Sequence, residues 1–256
     1  MRDILDAVAD GDLSPAEAQA ELSGYARTEA GRFDAARESR TGIPEAILAA
    51  GKTDEETASM TAAAVETTGS ALVTRADEDA VDACRTRLAD EVPDADIERD
   101  ARARTLVVHA PDYDAPALDA NVTVVTAGTS DAAAAGEAAV VAEEMGASVE
   151  FIDDVGVAGI ARLFDRLEDL RAADVLIVAA GREGALPTVA AGLVDVPLIG
   201  LPVSNGYGHG GRGEAALAGM LQSCTPITVV NVDAGFTAGS QAGLIARTVS
   251  SARTES

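Results

Sequence analysis

The chain is poor in aromatic side chains (3% of 256 residues) and contains no tryptophan. Lys52 is its only lysine; every other basic side chain is arginine. Cys84 and Cys224 are its only cysteines, too few for a disulfide framework. No apolar run approaches the ~18 residues that mark a membrane span. The N-terminus, MRDILDAVADGD, lacks the basic start and apolar stretch of a secretory signal. We therefore expect a cytoplasmic protein with no membrane partner. Positive charge is scarce throughout: 19 Lys and Arg stand against 43 Asp and Glu, a net charge of −24. That balance excludes nucleic-acid partners, which need basic patches facing phosphates. A dense acidic surface almost free of lysine fits a protein soluble in concentrated salt, so a halophilic source is expected. An ordinary acidic protein is the alternative.

What is present is hydrophobic mass. Apolar residues make up 47% of the chain, enough for a sizeable core and unlike the signature of disorder. The length suits one large domain or two modest ones. Residues 110–116, with Pro111 and Pro116, read as a linker. We expect an N-terminal α+β region over 1–116 and a second domain over 117–256.

In the first region, two short helical patterns fill residues 2–22, the second capped by Ser14 with Pro15 in its first turn. A polar segment, 33–45, follows. A helical run then leads to Gly51-Lys52-Thr53. Helices are expected over Asp54–Thr68 and Glu78–Leu88, and strands over Ala71–Thr74 and Thr105–Ala110. Arg37, Arg40 and Lys52 concentrate positive charge. They make either surface ion pairs or a contact to phosphate or carboxylate, which suits arginine. Cys84, on the second helix, reads as a packed, inert thiol.

From Asn121 onward strands and helices alternate. Strands are expected at Val122–Thr126, Val149–Ile152, Val175–Ala179, Pro197–Leu201 and Ile227–Val232. The helices between them include Ala132–Met145 and Ile160–Arg171. The pattern implies a parallel sheet covered on both faces, a flavodoxin-like, doubly wound α/β arrangement. Its ligand belongs at the C-terminal ends of the strands. The turn Gly128-Thr129-Ser130-Asp131 follows the first of these strands and offers hydroxyls and a helix start, an anion site or simple capping. Gly181-Arg182-Glu183-Gly184-Ala185-Leu186-Pro187 follows the third, with Glu183 as a general base, a cation ligand or a solvated turn residue. The loop Gly206–Gly213 has the flexibility of a lid and carries His209. Ser223-Cys224-Thr225-Pro226 reads as a helix end. Cys224 is the best candidate nucleophile, although a helix C-terminus disfavours a thiolate. The Gly128 turn is not a GxGxxG, and GxxxxGK[ST] occurs nowhere in the chain, so the ordinary Rossmann and P-loop readings fail.

Thr126-Ala127-Gly128-Thr129-Ser130-Asp131, Gly184-Ala185-Leu186-Pro187 and Val196-Pro197 resemble the PurE-like aminoimidazole ribonucleotide carboxylase superfamily. The resemblance is closer to its LarB branch, of nickel-pincer cofactor synthesis. That branch is matched by residues 154–159, 181–187, 206–208, 220–224 and 230–236, and by the N-terminal residues 37–45 and 51–53. The purine branch carries Ser-Ala-His-Arg-Thr after its second strand, where this chain has Asp153-Asp154-Val155-Gly156. One departure from the LarB pattern is Ala161, where a histidine is usual.

The resemblance implies an enzyme, a carboxylase and hydrolase of nicotinic acid adenine dinucleotide, assembled as an octamer. Carbon dioxide is the co-substrate, and the products are pyridinium-3,5-biscarboxylic acid mononucleotide and AMP. It implies Cys224 as nucleophile and Glu183 as base. Gly128, Thr129, Ser130, Asp131, Asp154, Gly184, Ala185, Leu186, Arg40 and Lys52 are the expected substrate contacts. No cofactor is fixed; a divalent cation such as Mg2+ would neutralise the diphosphate. The alternatives are an aminoimidazole ribonucleotide carboxylase or mutase and a non-catalytic regulator that binds a pyridine dinucleotide.

Overall fold

The computed structural model describes residues 2–10, 14, 15, 18, 22, 24–28 and 30–255. The chain divides into two compact units between Asp114 and Ala115.

The first unit opens with α1 (Arg2–Asp10). The second helical pattern expected after Ser14 falls mostly outside the described residues. A short antiparallel hairpin follows, β1 (Ala26–Thr28) with β2 (Gly31–Phe33), then a one-turn helix α2 (Arg37–Thr41). A four-stranded sheet holds β3 (Ala46–Leu48), β4 (Ser70–Thr74), β5 (Asp96–Asp100) and β6 (Thr105–His109) in the order β3-β4-β6-β5. The helical run expected before Gly51 is thus corrected: Ala46–Leu48 is a strand paired in parallel with Leu72–Thr74. Pro44 forces the residue before it into extended backbone, and Ile47 gains a buried place in the sheet (1% exposed).

Helices α3 (Asp54–Thr68) and α4 (Glu78–Glu91) pack against each other. Thr53 and Glu56 form a reciprocal capping box at the start of α3, and Gly69 closes it in the left-handed conformation. Asp77 caps α4 by accepting from Ala80 N–H. Cys84 lies between the two helices, fully buried, 3.5 Å from Thr61 Oγ1. Burial pushes its thiol pKa up, as befits an inert packing residue.

The second unit contains β7 (Asn121–Thr126), α5 (Ala132–Glu144), β8 (Ser148–Ile152), α6 (Ala161–Asp165), α7 (Leu167–Ala172), β9 (Val175–Ala180), α8 (Ala185–Ala191), β10 (Leu198–Pro202), α9 (Glu214–Leu221), β11 (Thr228–Val229) and α10 (Gly235–Thr254). Its five strands are all parallel, ordered β11-β10-β9-β7-β8. This is the expected flavodoxin-like, doubly wound sheet.

Strand β9 is central and wholly buried. Val175, Ile177 and Ala179 face the cluster built with α5 and α10; Leu176, Val178 and Ala180 face the one built with α6, α7 and α8. Each large aliphatic side chain so buried contributes about 1.5–3 kcal/mol. Helix α10 lies against α5 through Gly235, Gly239 and Gly243. A Cβ at these positions would come 2.7 Å from Glu137 Oε2, 2.7 Å from Val141 Cβ and 2.5 Å from Met145 Sδ, respectively. Glycine is what allows the two helices their close approach. The far end of α10 is tied down by Arg253, whose guanidinium forks onto Asp174 at 2.6 and 2.9 Å.

Three expectations in this unit are revised. The single helix expected over 160–171 is two short ones, broken at Arg166, which bonds Asp169 at 2.5 Å and Glu150 at 2.7 Å. The last strand is only two residues long. Helix α9 stops at Leu221, so Cys224 lies beyond its end rather than on it.

Candidate active site

In a sheet of this order the chain leaves β7 toward one edge and leaves β9 toward the other. The crevice between the exits is the natural ligand site. It is present here as a cleft of about 480 Å³. Four strand exits supply its walls: Ala127, Gly128, Ser130 and Asp131 after β7, Gly156–Ala158 after β8, Gly181, Arg182, Glu183, Ala185 and Leu186 after β9, and Asn205 and Tyr207 after β10.

Asp131 is the buried polar centre of the cleft, 2% exposed. Its Oδ2 accepts from Gly128 N–H at 2.8 Å, and its Oδ1 from Asn205 Nδ2. The same Asn205 amide donates to Ser130 Oγ at 2.8 Å. Burial pushes the Asp131 carboxyl above its ordinary value, and the donors from Gly128, Asn205 and Gly181 offset only part of that rise. A carboxyl so placed can hold a proton or release one inside the cleft. Asn205 was not expected from sequence. Its position is enforced by Gly181, where any Cβ would overlap the Asn205 amide.

Glu183 lines the cleft and is exposed to it. The turn that presents it depends on Gly184, which has φ +65° and no room for a side chain beside the Ala216 backbone. Ala185 and Leu186 begin α8 and form the apolar floor. Gly128, Ser130, Asp131, Glu183, Ala185 and Leu186 therefore meet in one cleft, as candidate residues drawn from two separate loops. Thr129 is exposed and does not line it.

Asp154, His209 and Cys224, in the same unit, do not line the cleft. Asp154 is exposed, with φ +55°, and is ion-paired with Arg162. His209 is exposed on the Gly206–Gly213 loop, and Ala161 begins α6. Cys224 is exposed. It sits on the segment entering β11 at its N-terminal end, whereas the cleft is at the C-terminal ends of the strands. Within one chain the thiol and the cleft are not brought together. Arg40 and Lys52 belong to the first unit. Arg40 forks onto Asp34 at 2.7 and 3.0 Å and holds that carboxyl below its usual range. Arg37 pairs with Glu45 at 2.5 Å, and Lys52 Nζ donates to the Leu48 carbonyl at 2.7 Å.

Among the described residues no group of three or more His, Cys, Asp or Glu side chains could hold a metal ion. No described helix is long and apolar enough to cross a membrane.

Residues 121–256 match the AIR carboxylase family, and residues 25–110 match the LarB/PurE-like N-terminal domain. These two matches place the chain in a carboxylase-type, PurE-like enzyme family. An uncharacterized protein of Methanocaldococcus jannaschii is 40% identical over 258 residues, spanning 96% of this chain and 97% of that one. The PurE crystal structure from Treponema denticola is 17% identical, with a TM-score of 0.40, covering 53% of this chain and 92% of its own. A variant PurE structure from that organism, also 17% identical, gives 0.39 over 53% and 91%. With both domains in sequence, the chain belongs to the LarB family within the PurE-like superfamily.

Proposed function

We propose that this protein carboxylates the pyridinium ring of nicotinic acid adenine dinucleotide with carbon dioxide and hydrolyses its phosphoanhydride. The products are pyridinium-3,5-biscarboxylic acid mononucleotide and AMP, in the first step of nickel-pincer cofactor synthesis. The observation that carries this reading is the meeting, in one cleft, of the Gly128–Asp131 turn and the Glu183 loop of a LarB-family chain. The glycine turn suits the anionic part of a nucleotide, and Glu183 supplies an exposed carboxylate beside it.

A pyridinium ring is electron-poor and does not attack carbon dioxide. Addition of the Cys224 thiolate para to the ring nitrogen makes a neutral dihydropyridine. Its free meta carbon is then enamine-like and forms a bond to carbon dioxide. Glu183 takes the proton from that carbon, the electron pair restores the ring, and the thiolate leaves. This is covalent catalysis, one hard step divided into easier ones. The ring's positive charge favours the thiolate near it.

Because Cys224 lies away from its own cleft, this mechanism requires Cys224 from a second copy of the chain. That supports a homo-oligomer, for which an octamer is the proposed state. Leu221, 64% exposed close to Cys224 in sequence, is an apolar contact suited to such a neighbour. Ala242 and Ala246 on α10 are buried in the unit's own core and do not offer such a contact. The acidic, lysine-poor surface supports a halophilic, cytoplasmic setting.

Mass spectrometry of the protein with nicotinic acid adenine dinucleotide and bicarbonate tests the reading. The biscarboxylate mononucleotide and AMP are the expected products; unchanged dinucleotide refutes it. The match of residues 121–256 to the AIR carboxylase family favours a second reading, carboxylation of aminoimidazole ribonucleotide. A parallel sample with that substrate separates the two, and alkylating Cys224 would leave the second activity intact.

A further inference from the structure

Arg182 and Tyr207 come from different strand exits and meet over the cleft. The Arg182 guanidinium carbon lies 4.0 Å from the centre of the Tyr207 ring. Its Nη2 also donates to Tyr207 Oη at 2.8 Å. A planar, delocalised cation is therefore spread on an aromatic face, attracted by the ring quadrupole. Tyr207 is 74% exposed, in a chain with only 3 tyrosines and no tryptophan. Arg182 holds φ at +50°, a region that costs a non-glycine residue energy and that clusters at ligand clamps. Neither feature serves the hydrophobic core.

A pyridinium ring has the same character as the guanidinium it would meet here: flat, delocalised and singly positive. We infer that Tyr207 is a stacking platform that selects the charged form of the substrate ring, with Arg182 as its resting occupant. The pyridinium takes the ring face, and the displaced Arg182 turns to the substrate's carboxylate or diphosphate oxygens, for which a guanidinium is well shaped. Tyr207 and Arg182 are thus specificity-determining residues rather than groups in the bond-making steps. The inference rests on the proposed reading, since it requires a substrate with a cationic ring.

The test compares binding of nicotinic acid adenine dinucleotide with that of its dihydropyridine form, which keeps the skeleton but loses the ring charge. Titration calorimetry without bicarbonate avoids turnover to the biscarboxylate. Wild type is expected to prefer the charged form by about 3–30-fold, the span of one cation–π contact. Tyr207→Phe keeps the preference. Tyr207→Leu brings the ratio near one and leaves AMP affinity unchanged. The residue is exposed, so the variant's fold is checked simply by its melting temperature. Equal binding of both forms by wild type, or an undiminished preference in Tyr207→Leu, overturns the platform while leaving the proposed reaction standing. Failure of wild type to bind either form overturns both.

Discussion

Gly181→Ala puts the architecture of the cleft to a quantitative test. The Gly181 backbone is not left-handed, so alanine carries no φ penalty there. The cost comes from one contact. The new Cβ would fall 2.7 Å from Asn205 Cγ and nearer still to Oδ1, closer than such atoms approach. Asn205 must swing away, and its amide then loses Ser130 Oγ and the Asp131 carboxylate. A bond to a charged group is worth about 1.5–3 kcal/mol and a neutral one about 0.5–1.5 kcal/mol. The sum is roughly 2–4 kcal/mol, and at about 2–4 °C per kcal/mol for a chain of this size the melting point should fall by about 4–16 °C. Asn205→Ala removes the same bonds without the clash, so adding Gly181→Ala to it should cost almost nothing further. Thermal melts of the two single variants and the double variant supply the cycle. A Gly181→Ala protein that melts with wild type, or two effects that simply add, would refute the reasoning.

Other outcomes follow from the same structure. Cys224→Ser should abolish formation of the biscarboxylate while folding and dinucleotide binding persist, and Cys84→Ser should lower only stability; a Cys224→Ser enzyme near the wild-type rate sinks the mechanism. If each cleft borrows its thiol, Cys224→Ser and Glu183→Gln chains, each inactive alone, should regain up to about a quarter of the activity when unfolded together and reassembled; no recovery in a mixture that light scattering shows to be co-assembled counts against a shared site. Burial pushes the Asp174 carboxyl up, but Arg253 and the Asn121 N–H outweigh it, and the pKa ends below its ordinary 3.8. Its stabilising contribution is therefore present above that ordinary value and lost as pH falls through the depressed one, so Asp174→Asn should flatten the acid limb of a stability–pH curve below about pH 4. Asp131 has the opposite sign: its contribution is full below the ordinary value and lost as pH rises through the elevated one. With a net charge of −24, the melting temperature should rise as KCl goes from low to molar levels, and a fall would count against the halophile proposal.

The second unit was far more legible in the sequence than the first. Strands buried on both faces write themselves as continuous apolar runs, and Val175–Ala180 is such a run. The turns after β7 and β9 carry their own glycines. Strand β5 gives no such signal: Asp96-Ile97-Glu98-Arg99-Asp100 is an edge strand, and no side chain in it is fully buried. Ala46-Ile47-Leu48 sits in an alanine-rich run that passes for helix until its partner strand is known. Contacts that depend on distant loops were invisible for a simpler reason. Asn205 reaches back 74 residues to Asp131, and Arg182 meets Tyr207 across 25. No spacing rule couples positions so far apart. For Arg40 and Lys52 the sequence leaves ion pairing and ligand contact both open, because neither Asp34 nor the Leu48 carbonyl announces its geometry.

The glycine seam between α5 and α10 bears on the cleft without touching it. Helix α5 starts immediately after Asp131, and α10 starts two residues after Asp233, whose carboxylate holds the Ser204 N–H at 2.9 Å. Ser204 precedes Asn205. The two helices therefore act as a caliper: its hinge is the glycine seam, and its tips carry the two loops that Asn205 joins. A methyl at Gly239 would press on Val141 and on the Ala138 carbonyl, so the spacing of the two helix starts depends on residues outside the cleft lining. Variants selected for a larger or smaller substrate should then accumulate changes along this seam as readily as in the cleft wall.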